Sequence, residues 1–101
     1  MQEASAEDQR SYTRHNIPVD IKIETLNDKG EVDQSESTVA ENISLKGAAI
    51  YTTLDLPIGR MIRLTSEQYK LTVHAAVRGR SIGPSGVARI HVEFIDREFP
   101  L

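Results

Sequence analysis

The feature that most constrains the fold of this chain is a two-residue alternation of apolar and polar side chains. The first run alternates four apolar residues with single polar or proline positions: Ile17, Val19, Ile21 and Ile23. Successive side chains of a β-strand point to opposite faces, so this period predicts a strand with one buried face. The same pattern returns along the chain, divided by residues that favour turns.

The alternation and the turn signals together predict six strands. The first begins at residue 17 and ends before a turn at 27–30, and the others cover residues 32–41, 48–54, 60–64, 70–78 and 87–95. No segment has an apolar stripe at helical spacing, so the predicted class is all-β. A closed six-stranded antiparallel barrel is favoured because closure removes the exposed edges of an open sheet.

The last two strands carry the clearest division between faces. We expect the inward set to be Leu71, Val73, Ala75, Val77, Ile90, Val92 and Phe94. His74 and His91 then lie on the opposite face, which is typical of solvated strand positions. Gly79, Arg80 and Ser81 belong either to the fifth strand or to the turn that follows it.

The predicted barrel has a polar segment before it and a short tail after it. Residues 1–16 lack a hydrophobic period, and we expect a flexible N-terminal arm. The barrel domain is predicted to cover residues 17–97, followed by a tail of residues 98–101. Pro100 is incompatible with a normal helix interior, so a C-terminal helix is expected to be short or absent.

Composition argues against several classes of partner. The net charge of −3 and the 5% aromatic content disfavour a nucleic acid polymer, whose binding uses basic grooves and aromatic platforms. The sequence has no apolar run long enough for a membrane span and no secretory signal, so no direct membrane insertion is expected. The absence of cysteine suits a reducing compartment, and we expect a cytoplasmic protein.

Catalytic and cofactor motifs are also missing. The sequence contains no zinc-protease, P-loop, nucleophile-elbow or EF-hand signature, and no nucleophile has an evident base. We therefore expect a protein that is not an enzyme and has neither a metal nor a resident cofactor.

Two short motifs remain. Arg10 and Arg14 form R-x-x-x-R before the first strand, and Asn42, Ser44 and Gly47 form N-x-S-x-x-G before the third. Each is weak by itself. The arginines are most often solvated charges, the Asn–Ser pair is typical of a turn bonded to its own backbone, and Gly47 is typical of a turn with positive φ.

Together, in this order and with these strands, the motifs resemble the PilZ domain family. The resemblance runs from Arg10 to about Asp96 and includes "NISLKGAAI", "LTVHAAVR" and a last strand ending "VEFID". Family membership implies a six-stranded antiparallel barrel that binds the bacterial second messenger cyclic di-GMP.

The resemblance also implies roles for the motif residues. Arg10 and Arg14 would hold phosphates or guanines, since a guanidinium can donate two parallel hydrogen bonds and stack on a base. Asn42 and Ser44 would face the ligand, and Gly47 would allow the turn and a close approach. Ordering of the arm would relay the signal to a downstream protein or to another domain of a longer chain.

Several positions leave alternatives open. Arg78, on the outer face of the fifth strand, is either a further ligand contact or an exposed charge. Lys46 replaces a glycine common in the family, and either contacts a phosphate or crowds the site. Gln9 stands where relatives that bind a ligand dimer usually have arginine, which favours one ligand molecule over two. The alternative function is a PilZ-like protein–protein adaptor that needs no nucleotide.

Overall fold

The chain forms strands in all six of the predicted places. The structure is a computed structural model, and it describes residues 18–100. The strands are β1 (Val19–Leu26), β2 (Val32–Glu41), β3 (Gly47–Thr52), β4 (Met61–Ser66), β5 (Leu71–Ile82) and β6 (Ala88–Phe94). Residues 18–100 contain no helix, and so no helix that could cross a membrane. The predicted all-β class is confirmed.

The six strands close into an antiparallel barrel in the order β1-β2-β3-β6-β5-β4. Closure is made by β1 and β4, which pair with Ile23 opposite Leu64. The alternation places one apolar set inside, where Ile23, Ile50, Val73 and Ile90 are fully buried. The predicted barrel is therefore confirmed, and so are all seven inward positions predicted for β5 and β6.

The sequence left the end of the fifth strand open, and the structure extends β5 to Ile82. Gly79, Arg80 and Ser81 belong to the strand and pair with β6, with Ser81 opposite Arg89. The regular register is interrupted once, because Val77 lies opposite Val92 whereas Gly79 lies opposite His91. The intervening Arg78 has no partner in β6, which defines a β-bulge at this residue.

The residues after β6 pack against the barrel. Phe99 is 1% exposed, and its ring lies 4.9 Å from that of Tyr69 and 5.6 Å from that of Phe94, measured between centroids. Asp96 accepts hydrogen bonds from the backbone N–H of His74 at 3.0 Å and from its Nδ1 at 2.8 Å. The outer-face histidine of β5 is therefore paired and not simply solvated.

Candidate functional site

A concave surface on the outside of the barrel lies where β3, β5 and β6 meet. Its volume is about 290 Å³, and we call it the site depression; its lining residues are Ser44, Lys46, Gly47, Ala48, Arg78, His91, Val92 and Glu93. Ser44, Gly47 and Arg78 are three of the six site residues predicted from the sequence. The barrel topology thus places the second motif and the outer face of β5 on one small surface.

Gly47 permits a close backbone contact on the floor of the site depression. A Cβ atom built on Gly47 would lie 2.3 Å from the carbonyl oxygen of Val92, a distance that real Cβ atoms do not tolerate. Gly47 is the first residue of β3, opposite Glu93, and it is not among the residues with positive φ. The alternative in which Gly47 is a turn glycine with positive φ is therefore wrong, and the glycine is required because β3 and β6 approach closely.

The positive φ falls instead on Asn42, at 52°. Asparagine tolerates this left-handed conformation better than most residues do. Asn42 therefore redirects the chain between β2 and the Ser44–Gly47 turn, and its side chain is half-buried. Asn42 is not one of the residues that line the site depression.

Ser44 supports the turn that leads into β3. Its backbone N–H donates to the carbonyl of Gly47 at 2.9 Å. Its hydroxyl, 7% exposed as a residue, also lies 3.3 Å from the Gly47 carbonyl and accepts from the Lys46 N–H at 3.4 Å. Both hydroxyl contacts are at the long end of hydrogen-bond distances. They are the local contacts expected of an ordinary serine turn.

Arg78 lies on the outer face of β5, as the alternation predicts, and it lines the site depression at the bulge. The Arg78 Nε donates to Oε1 of Glu93 at 2.8 Å, and both side chains are more than half exposed. Glu93 was not singled out from the sequence, although its outward position follows from the alternation of β6.

Lys46 forms the other cationic wall of the site depression. Its Nζ lies 3.0 Å from Oε2 of Glu98, and its carbonyl accepts the N–H of Phe94 at 2.7 Å. The adjacent Leu45 carbonyl accepts the N–H of Phe99 at 3.0 Å. The motif segment and the residues that follow β6 are therefore held together. The salt bridge with Glu98 accounts for a Lys46 side chain that points away from the barrel and remains accessible.

His91 borders the same surface from β6. Its Nε2 lies 3.2 Å from Nη1 of Arg89, whose other terminal nitrogen, Nη2, donates to Oε1 of Glu41 at 3.1 Å. The fixed positive charges beside the depression come from arginine and lysine.

The first motif cannot be placed. Arg10 and Arg14 lie outside residues 18–100, so their proposed roles stay predictions from the sequence. Within the described range, no group of three or more histidine and acidic side chains could hold a metal ion.

A second and larger concave surface covers β1, β2 and β4. We call it the large hollow; its volume is about 790 Å³, and its lining includes Asp20, Lys22, Ser37, Thr38, Thr65 and Glu67. Among residues 18–100, Lys22 is the single cation in its lining, and its Nζ lies 3.7 Å from Glu24. None of the predicted site residues among positions 18–100 lines the large hollow.

Comparison with known proteins gives one family match. A model described as the PilZ domain matches residues 8–99. A search of curated protein sequences gave no significant match.

Solved structures share the fold at low sequence identity. The Bacillus subtilis inhibitor of motility (MotI/DgrA) has a TM-score of 0.68 at 23% identity, over 87% of this chain and 43% of its own. The K. pneumonia MrkH–c-di-GMP complex has a TM-score of 0.62 at 18% identity, over 87% of this chain and 45% of its own. The Escherichia coli YcgR PilZ domain with c-di-GMP has a TM-score of 0.59 at 16% identity, over 88% and 79% respectively. The chain thus spans less than half the length of the MotI and MrkH structures.

Proposed function

Because the chain belongs to the PilZ domain family, we propose that it is a receptor for cyclic di-GMP. Two of the structures that share its fold, MrkH and the YcgR PilZ domain, contain this ligand. The observation that carries the proposal is the site depression itself. It brings two residues of the N-x-S-x-x-G motif to the same surface as an arginine at a β-bulge.

The chemistry of the site residues suits a cyclic dinucleotide. The phosphates are matched by the guanidinium groups of Arg10, Arg14 and Arg78, which can each donate two parallel hydrogen bonds. A guanine presents O6 and N7 to an arginine, and donors to the oxygens of Asn42 and Ser44. The two long hydroxyl contacts of Ser44 can be exchanged for ligand contacts at little cost in free energy.

The close approach at Gly47 positions the motif turn. The direction that a side chain at position 47 would take is filled by the Val92 carbonyl, so the glycine lets the motif turn lie close against β6 beside the site depression. The proposed protein binds cyclic di-GMP without catalysing a reaction, and it does so in the cytoplasm. Ordering of residues 1–16 against the barrel would pass the signal to a partner protein or to a further domain.

Isothermal titration of the full chain with cyclic di-GMP tests the proposal. We expect saturable binding with a stoichiometry nearer one than two, and an increase in melting temperature that grows with ligand concentration. GMP serves as the matched control, because it carries the same base without the second nucleotide. Absence of both heat and thermal shift at high cyclic di-GMP concentration would reject the receptor function. Recovery of the same protein partner with and without nucleotide would then favour the adaptor.

A further inference from the structure

Glu93 places a carboxylate inside the surface that we assign to an anionic ligand. It lies opposite Gly47 of β3 and opposite Ala76 of β5, so its side chain stands on the outer face between the motif turn and the bulge. Its Oε1 accepts from Nε of Arg78 at 2.8 Å, and it lines the site depression beside that arginine. The guanidinium therefore already has an anionic partner.

The second cation of the site depression has the same kind of neighbour. Lys46 Nζ lies 3.0 Å from a carboxylate oxygen of Glu98. Glu93 differs from Glu98 in lining the depression itself. A phosphate that approaches Arg78 therefore competes with the Glu93 carboxylate for the Nε donor, and it meets a like charge as it arrives.

We infer that Glu93 is a competing counter-ion that limits the affinity of the site for cyclic di-GMP. The inference rests on the proposed function and names a residue that sets the strength of that same interaction. The Arg78–Glu93 pair is exposed on both sides, and pairs of this kind contribute little free energy. A phosphate that accepts two hydrogen bonds from the guanidinium can therefore win the competition, with an affinity reduced by the cost of displacing Glu93.

The same geometry gives Glu93 a role in selecting ligands by charge. A ligand takes the Nε donor of Arg78 from Glu93 only if its own contact with the guanidinium is stronger than that of the carboxylate. Phosphate groups satisfy this condition, whereas an uncharged base or sugar does not. Removing the charge of Glu93 should therefore strengthen the binding of the anionic ligand in a manner that salt screens.

The test compares Glu93→Gln with Asp55→Asn by calorimetric titration with cyclic di-GMP. Asp55 lies 3.6 Å from Arg80, two residues beyond Arg78 on β5, and neither residue lines the site depression. Both variants remove one negative charge near a β5 arginine, so only the position of the charge differs. Glu98→Gln is a second variant that acts through Lys46.

We expect Glu93→Gln to lower the dissociation constant for cyclic di-GMP about fivefold at low salt, because it removes the exposed Arg78–Glu93 ion pair that competes with the ligand. The gain should shrink as salt is raised, and Asp55→Asn should leave the constant unchanged. Glu98→Gln should give a smaller gain in the same direction. Unchanged or weaker binding by Glu93→Gln overturns the inference while the receptor function stands. Absence of binding by the wild type and by every variant overturns the receptor function, and the inference with it.

Discussion

Two hollows on the outer surface of the barrel differ in what lines them, and the smaller of the two holds Ser44, Gly47 and Arg78 of the predicted site residues. The large hollow measures about 790 Å³ and the site depression about 290 Å³. Within residues 18–100, the lining of the large hollow comes from β1, β2 and β4 and the turn after β4, and its one cation is Lys22. The site depression combines a glycine that allows close strand approach, an outward Arg78 at a β-bulge, and a second cationic side chain, Lys46.

The comparison shows that local irregularity is a better guide to this site than volume. A hollow between regular strands follows from the curvature of a closed sheet and needs no special residue. A β-bulge beside a glycine that no other residue can replace costs stability, and bulges occur preferentially next to functional sites. We therefore place ligand binding at the site depression and expect the large hollow to be inert toward cyclic di-GMP.

The largest effect is expected from Arg14→Ala on cyclic di-GMP affinity. Each hydrogen bond to a charged group contributes about 1.5–3 kcal/mol, which corresponds to a loss of about 10- to 150-fold in affinity. Lys22→Ala removes the one cation that residues 18–100 contribute to the large hollow and is the matched control. Titration calorimetry on both variants checks the comparison. Equal losses in the two variants would mean that the effect comes from overall charge and not from the site.

Gly47→Ala is expected to destabilise the barrel by about 1–3 kcal/mol, the usual cost of forcing an extra methyl group into packed structure. The new Cβ would lie 2.3 Å from the Val92 carbonyl oxygen, so β3 and β6 must move apart. Gly79→Ala is the control, because its Cβ would lie 3.7 Å from His91 in ordinary contact. Urea unfolding at constant m-value measures both. A Gly47→Ala variant as stable as the wild type would show that the close approach is unimportant.

Arg78→Ala should weaken cyclic di-GMP binding about fivefold, less than Arg14→Ala, because part of its interaction is already satisfied by Glu93. Arg80→Ala is the control on the same strand, and its partner Asp55 lies outside the depression. Calorimetric titrations of the two variants with cyclic di-GMP in the same buffer measure the two affinities. If Arg80→Ala loses as much affinity as Arg78→Ala, the bulge does not select the arginine that binds.

The smallest effect concerns Asp96, which lies outside both hollows. The hydrogen bond from the His74 ring, followed by that from the His74 backbone, holds the pKa of Asp96 below its usual range. This stabilisation is fully present above the ordinary carboxyl pKa of about 3.9 and is lost as pH falls through the lowered pKa of the folded state.

Asp96→Asn should therefore reduce stability slightly at neutral pH and flatten its decline below about pH 4, between the ordinary carboxyl pKa and the lowered pKa of the folded state. Thermal unfolding across this pH range measures the change, and cyclic di-GMP affinity should be unaffected. A large loss of affinity in this variant would mean that the site extends beyond the depression.

The barrel could be predicted from the sequence because the alternation of apolar and polar residues follows directly from strand geometry, in which successive side chains point to opposite faces. Ile21, Val73 and Ile90 are buried for the same reason that their neighbours are exposed, and no long-range information is needed to see it. Turn residues then divide the strands. One of them, Gly30, has the positive φ expected of a turn glycine.

The remaining features depend on contacts between segments that are distant in the chain. The need for glycine at position 47 comes from the Val92 carbonyl, and the bulge at Arg78 comes from a register shift between β5 and β6. The burial of Phe99 depends on Tyr69 and Phe94, which its own neighbours do not reveal. Local pattern cannot give these pairings, because each is fixed only when the barrel closes.

The most direct test of the account is to locate the ligand by NMR on the isotopically labelled full chain. We predict that cyclic di-GMP shifts the backbone amide signals of Ser44, Gly47, Arg78 and Glu93, while those of Lys22, Thr38 and Thr65 in the large hollow stay in place. GMP at the same concentration should produce much smaller changes. Shifts concentrated at Lys22, Thr38 and Thr65, or no shifts at all, would contradict the assignment of the site depression as the cyclic di-GMP site.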